Sequence, residues 1–191
     1  MSNWSSQAVD HWQELPYPGE RPECSWRLVS DVVHRVIPIG DGWSDAVTGD
    51  DIDLSDRIFI LAYGSNANPC KLLGIDAVML QSEITDAQAV WSRGRRRRDG
   101  AVVSTIAEVP GHVEACPVLA VAPDDLWTVD SWEMPAYQRV DFWGRCTLEN
   151  GIAVTPEVYV GGKDRKPLLI NGGYARLHHF SHAYVDQRVS K

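Results

Sequence analysis

Ile58-Phe59-Ile60-Leu61-Ala62-Tyr63-Gly64-Ser65-Asn66-Ala67-Asn68-Pro69 is the stretch that decides how the rest of the chain is read. Its first six residues are apolar and run straight into turn formers, which predicts a buried strand over 58–63. Asn68 followed by Pro69 pairs a helix N-cap with a first-turn proline, and Gly74 is placed to end that short helix after Leu73. A strand that gives way to a helix through Gly-Ser-Asn gathers unpaired backbone N–H groups at one spot, a concavity that favours a carboxylate. Gly64 admits close approach to the backbone, and Ser65 adds a hydroxyl. The same spacing also describes a tight turn with no ligand.

Downstream, strands are predicted at 101–109 and 117–121 with a turn at Pro110-Gly111 between them. Pro123-Asp124-Asp125 opens a second helix, with Leu126, Val129 and Trp132 on its inner face, and a strand follows at 136–143. Strands at 146–149 and 152–160 flank Asn150-Gly151, the preferred two-residue hairpin turn, and near the end Leu177, Phe180 and Tyr184 share one helical face. Upstream, residues 1–57 carry Trp4, Trp12, Trp26 and Trp43 among acids and turn formers. Leu28, Val29, Val32, Val33 and Val36 have helical spacing over 27–36, with Pro38 to stop it. Tryptophan is costly to leave in water, so 1–57 reads as an extension packed on a main domain spanning 58–191. Strands dominate without a βαβ rhythm. The class is α+β: a small mixed or antiparallel β-barrel with short flanking helices, and not a Rossmann-like sheet.

The chain has 191 residues, 44% hydrophobic and 23% charged, enough for one domain whose core needs no metal or disulfide staple. A formal net charge of −8 argues against nucleic-acid or anionic-membrane partners, which need concentrated Lys and Arg. No apolar run is long enough for a membrane span, and the N-terminus lacks the basic start and apolar stretch of a secretory signal. Cys24, Cys70, Cys116 and Cys146 are widely spaced with no Cys-x-x-Cys pair, so reduced thiols in a cytoplasmic protein are expected. Cys70 falls near a helix start, where a thiol pKa drops, but no base neighbours it and it reads as packing.

Glu133 falls where the second helix meets the next strand, beside Trp132. A carboxylate against aromatic surface is partly desolvated, which raises its pKa and suits it to proton transfer near neutral pH; an exposed helix-end glutamate is the ordinary alternative. Taken together, these segments resemble the γ-glutamylcyclotransferase-like family. The matching features are Tyr63-Gly64-Ser65-Asn66 after an apolar strand, Ser104-Thr105-Ile106 with Pro110-Gly111, Asp130-x-x-Glu133 and Tyr137-x-Arg139, in the family's order over about residues 58–162.

The resemblance implies that Tyr63, Gly64, Ser65 and Asn66 hold the α-carboxylate end of a glutamyl group. It puts the acid/base role on Glu133 and completes the substrate site with Tyr137 and Tyr159. The implied reaction is intramolecular aminolysis of a γ-glutamyl amide, releasing 5-oxoproline and an amine or amino acid, with no metal or cofactor. Two positions depart from the family: Ala67 stands where an apolar residue such as Leu is usual, and Met134-Pro135 where Gly follows the glutamate. Pro135 fixes the backbone and removes an N–H beside Glu133, which alters the pocket. The rivals are another acyl transfer or amide cleavage on the same fold, and a binding module without turnover.

Two further motifs stand outside that reading. Arg93-Gly94-Arg95-Arg96-Arg97-Arg98 could be a nucleic-acid or localisation patch; as a strand, it would either point one arginine pair at the barrel mouth to bind an acidic leaving group, or form a solvated edge against the acidic extension. His178-His179-x-x-His182 has the spacing of a metal pair on a helix but no third ligand at a motif distance, so surface histidines are expected.

Overall fold

A computed structural model describes residues 4–189. The segment expected to be an extension supplies β1 (Ser6–Ala8), β2 (Trp26–Val29), β3 (Val32–Ile39) and β4 (Gly42–Asp45). The helical spacing at 27–36 is thus two strands. Ser30 takes a positive φ of 46° in the connection, and the β-branched residues on either side pair as a hairpin with Val29 opposite Val32. Pro38 does not stop the element; it sits within β3, opposite Trp43.

β5 (Ile58–Leu61) continues into the Gly64 loop and two short 3-10 turns, Ser65–Ala67 and Pro69–Leu72; the second falls where the short helix through Leu73 was expected. β6 (Ala77–Leu80), β7 (Ser82–Arg95), β8 (Val102–Ala115) and β9 (Val118–Val121) follow, then α1 (Leu126–Glu133), β10 (Tyr137–Asp141), β11 (Cys146–Leu148), β12 (Ala153–Val154) and β13 (Glu157–Gly161). β14 (Leu169–Ile170), β15 (Gly173–Tyr174) and α2 (His182–Asp186) end the chain. Pro110-Gly111 is not a turn. β8 runs through it with a shift of register against β7, where Asp86 at φ 62° accepts from the Gly111 N–H at 2.8 Å. α2 starts only at His182, so His178 and His179 share no helix with it, and neither does Leu177 with Tyr184.

Among the described residues, nine strands join one sheet along β1-β3-β2-β6-β9-β5-β13-β10, with β4 branching from β3, while β12-β11-β7-β8 form a second sheet. The larger sheet does not close, which corrects the expected barrel. β2 takes the outer edge of β6, pairing Trp26 with Met79 and Arg27 with Val78, so the sheet grows outward to β1 and leaves β10 as its other end. The α+β class stands, with sheet in excess and few helices.

β5 lies between β9 and β13, and its two faces enter two cores. Ile60 and Ala62 pack with Trp26, Met79, Leu119 and Val129 beneath α1; Leu61 and Tyr63 pack with Ile84, Ala87 and Ile106 against the smaller sheet. Burial on both faces is why 58–63 is continuously apolar, each fully buried aliphatic contributing about 1.5–3 kcal/mol. With β5 so fixed, its C-terminal end and the Gly64 loop are held on a rigid support. No helix among the described residues is long and apolar enough to cross a membrane.

Candidate active site

The Gly64 loop leaves the end of β5 and folds back through Asn68. The Asn68 Oδ1 accepts from the Cys70 N–H at 2.9 Å, the capping bond its position predicts. Its Nδ2 does a second job, donating to the carbonyls of Gln13 at 2.9 Å and Glu20 at 2.7 Å. Cys70 Sγ adds a contact to the Trp12 carbonyl at 3.0 Å, and burial pushes its thiol pKa up rather than down. These bonds tie the 13–20 segment to the loop, and that segment delivers Tyr17.

Tyr63, Gly64, Ser65, Asn66, Glu133, Tyr137 and Tyr159 all line one pocket, joined by Tyr17, Leu61 and Ser104. Glu133, the last residue of α1, turns towards the loop. Its Oε1 accepts from Lys71 Nζ at 2.8 Å, and the same ammonium donates to Asn66 Oδ1 at 2.5 Å and Ser65 Oγ at 3.4 Å. Carboxylate and loop, 62 residues apart at Lys71 and Glu133, therefore share one ammonium. A carboxylate at a helix C-terminus opposes the helix dipole, and the Lys71 charge offsets that. Trp132, expected to desolvate Glu133, lies against Lys71, whose Nζ is 5.4 Å from the ring centroid.

The hydroxyls are spent within the site. Tyr17 Oη is 2.5 Å from Ser104 Oγ and accepts from the Ser104 N–H at 3.0 Å. Tyr137 donates to the Ser104 carbonyl at 2.6 Å, and Tyr63 donates to the Tyr159 carbonyl at 2.5 Å. Tyr159 donates to Asp130 Oδ1 at 2.8 Å, so its hydroxyl is turned to a carboxylate that Arg139 also holds, at 2.9 Å, while Arg139 pairs with Glu157 as well. Burial raises the pKa of all four tyrosines, with hydrogen bonding to Asp130 adding to it at Tyr159 and the neighbouring Glu133 adding at Tyr63 and Tyr137. They are neutral donors near pH 7, which leaves Glu133 as the carboxylate among the residues lining this pocket.

Space before the loop is small. The pocket measures about 20 Å³, room for one water, with Tyr17 among its walls. A Cβ on Gly64 would come within 2.6 Å of Ser104 Oγ and 2.7 Å of Tyr17 Oη, so glycine is required by close packing there. Through Glu133 the site adjoins a cavity of about 80 Å³ with Tyr17, Tyr137 and Arg165, and opens into one of about 850 Å³. Met134 and Pro135 line this larger cavity, as do Arg95, Arg96, Arg97 and Arg98. The arginine run is not an edge strand: β7 ends at Arg95 and the rest turns over the cavity towards β8. Tyr17 and Lys71 were not anticipated from sequence. Lys71 carried a usable signal, a cation in the first turn after the loop; Tyr17, 87 residues from Ser104, carried none.

No family model and no curated protein matches the chain. Among solved structures, a gamma-glutamyl cyclotransferase is similar with a TM-score of 0.50 at 17% identity, over 59% of this chain and 71% of that one. An uncharacterized protein from Homo sapiens is similar with a TM-score of 0.50 at 17% identity, over 59% of this chain and 72% of that one. At such identity the likeness is one of fold: the chain has a γ-glutamylcyclotransferase-like fold.

Proposed function

We propose that the protein is an enzyme that cyclises a γ-glutamyl amide to 5-oxoproline and releases the amine. One observation carries this reading: Glu133 and the oxygens of Ser65 and Asn66 converge on a single ammonium, that of Lys71. A γ-glutamyl substrate presents an α-ammonium of the same chemistry, and in the bound state it takes the place of Lys71 Nζ. The backbone N–H groups at the start of the Ser65 turn have no partner inside it and receive the α-carboxylate.

Glu133 takes a proton from the substrate's α-ammonium. The freed amine attacks the γ-carbonyl, and the new C–N bond closes a five-membered lactam through a tetrahedral oxyanion. The bond to the departing nitrogen then breaks as Glu133 returns that proton to it. Glu133 next takes the surplus proton from the lactam nitrogen and passes it to the released amine, which leaves as an ammonium, so atoms and charge balance with one acid/base group. Tyr63, Tyr137 and Tyr159 shape and dry the pocket, with Tyr159 steadying Asp130 one helical turn before Glu133.

The test is stoichiometric release of 5-oxoproline and free amine from γ-glutamyl amides, repeated with Glu133→Gln. The reading expects turnover by the wild type and a loss of at least a hundredfold in the variant, with an unchanged melting temperature. Wild-type-like turnover in the variant overturns the assignment. The filled cradle supports a second reading, a binding module without turnover, which the same assay identifies as binding of γ-glutamyl amides without 5-oxoproline.

A further inference from the structure

The 850 Å³ cavity beyond Glu133 has a wall that this reaction leaves unused. Although the chain carries a net charge of −8, that wall is basic: Arg96, Arg97 and Arg98 overhang it from the β7–β8 turn, and Lys163 and Arg165 face it from the turn after β13. Among the described residues, Arg165 is the buried arginine. It is only 7% exposed, its Nη1 and Nη2 donate to the carbonyls of Asp164 at 3.0 Å and Arg95 at 2.8 Å, and its Nε is buried with no partner. By contrast, Arg27 and Arg139 each rest on a carboxylate, Asp45 and Asp130.

A buried guanidinium held by neutral carbonyls keeps a whole charge in a medium that penalises it, and an anion is what relieves the cost. The chain makes room for that arrangement. A Cβ on Gly94 would strike the Asp164 carbonyl and the Arg165 guanidinium, and one on Gly161 would strike the Arg165 main chain. Arg165 also lines the 80 Å³ cavity together with Glu133 and Tyr137, next to where the departing nitrogen is protonated.

We propose that this wall receives the amine part of the substrate and that this part is a dicarboxylate, an acidic amino acid or acidic peptide joined to the γ-glutamyl group. Arg165 pairs with one carboxylate, and the exposed Arg97 and Arg98 at the rim take the other. The inference rests on the cyclotransferase reading for the γ-glutamyl half only. The amine half is recognised by charge, and its products are 5-oxoproline and the free acidic amine. Planar bidentate pairing with carboxylate is what arginine, rather than lysine, supplies.

Two arms test it on the full chain. In the first, the dipeptide Asp-Glu and its neutral counterpart Asn-Gln are titrated calorimetrically into wild type, Arg165→Gln and Arg97→Gln. The acidic dipeptide should bind at least tenfold tighter, with that preference abolished by Arg165→Gln and reduced severalfold by Arg97→Gln, whose exposed side chain leaves folding intact. Equal affinities for the two dipeptides, or a preference unchanged in Arg97→Gln and in folded Arg165→Gln, overturn the proposal; displacement of Asp-Glu by equimolar inorganic phosphate overturns the carboxylate assignment. In the second arm, γ-Glu-Asp should be cyclised with a kcat/KM at least tenfold above γ-Glu-Asn, and equal values overturn the proposal. Arginine-dependent binding of Asp-Glu without 5-oxoproline from any γ-glutamyl compound keeps the anion wall and removes the cyclotransferase reading.

Discussion

Replacing Lys71 by methionine separates what its ammonium does in the structure, holding Glu133, from what the proposed reaction assigns to its place, which is the substrate's α-ammonium. The Lys71 and Glu133 side chains are 17% and 13% exposed, between the solvent-screened and the fully buried case. An exposed pair contributes under about 1 kcal/mol, and breaking a buried one costs about 3–5 kcal/mol, so the loss here is about 2 kcal/mol. In a chain of this size that lowers Tm by roughly 4–8 °C. In the wild type an incoming α-ammonium must displace Lys71, whereas in the variant it meets vacated acceptors on Glu133, Asn66 and Ser65. Most of the lost stabilisation then returns as affinity, roughly 30-fold for about 2 kcal/mol. L-glutamate is the probe, because it carries the α-ammonium and α-carboxylate but no amide to cleave. Thermal unfolding should show Lys71→Met less stable without ligand and more strongly stabilised by glutamate, and calorimetric titration should show the tighter binding. A variant as stable as the wild type, or one that binds glutamate no better, refutes the shared-ammonium reasoning.

Tyr17→Phe removes the partner of both the Ser104 N–H and hydroxyl in a buried setting, so it should destabilise by about 1–3 kcal/mol, read by denaturant unfolding; a neutral effect would mean the N-terminal segment does not brace the site. Asp45 sets an acid limit on stability. Burial alone would raise its carboxyl, but the N–H groups of Val47 and Thr48, together with His34 and Arg27, outweigh that and lower it from 3.8 to about 2. A depressed folded-state pKa contributes stability that is complete above the unfolded value and lost as pH falls through the folded one, here between about pH 4 and 2, worth about 2 kcal/mol. Asp45→Asn should lose that contribution at pH 7 and show a flatter acid-unfolding profile over the same window.

The parts of the fold legible in the sequence were those with a local cause. The apolar 58–63 run, the Asn68-Pro69 cap and the Pro123 helix start each follow from residues a few positions apart, and so does the hairpin at Asn150-Gly151, although its loop is the three residues 149–151 with only Gly151 at positive φ (88°), in place of the expected two-residue turn. What was illegible was non-local. β7 is buried on both faces from Ala87 to Ser92, so that stretch shows no period-two alternation to mark it as a strand. Val32, Val33 and Val36 have helical spacing, but pairing with β1, β2 and β4 decides their state. The sheet stays open because β2 takes the outer edge of β6, and no local pattern encodes that pairing. In the site, the loop and Glu133 were identifiable from their motifs, whereas Tyr17 enters through Asn68, whose side chain bonds to the carbonyls of Gln13 and Glu20. The arginine run was visible as a charge cluster, but the contact that ties it to Arg165, 70 residues beyond Arg95, has no local signal.

A crystal structure of the full chain with L-glutamate tests the central claim most directly. The account predicts the ligand's α-ammonium within hydrogen-bond distance of the Glu133 carboxylate and Asn66 Oδ1, with Lys71 Nζ moved aside and the α-carboxylate on the backbone of Gly64 and Ser65. Glutamate seated elsewhere, with the Lys71–Glu133 pair undisturbed, would contradict it.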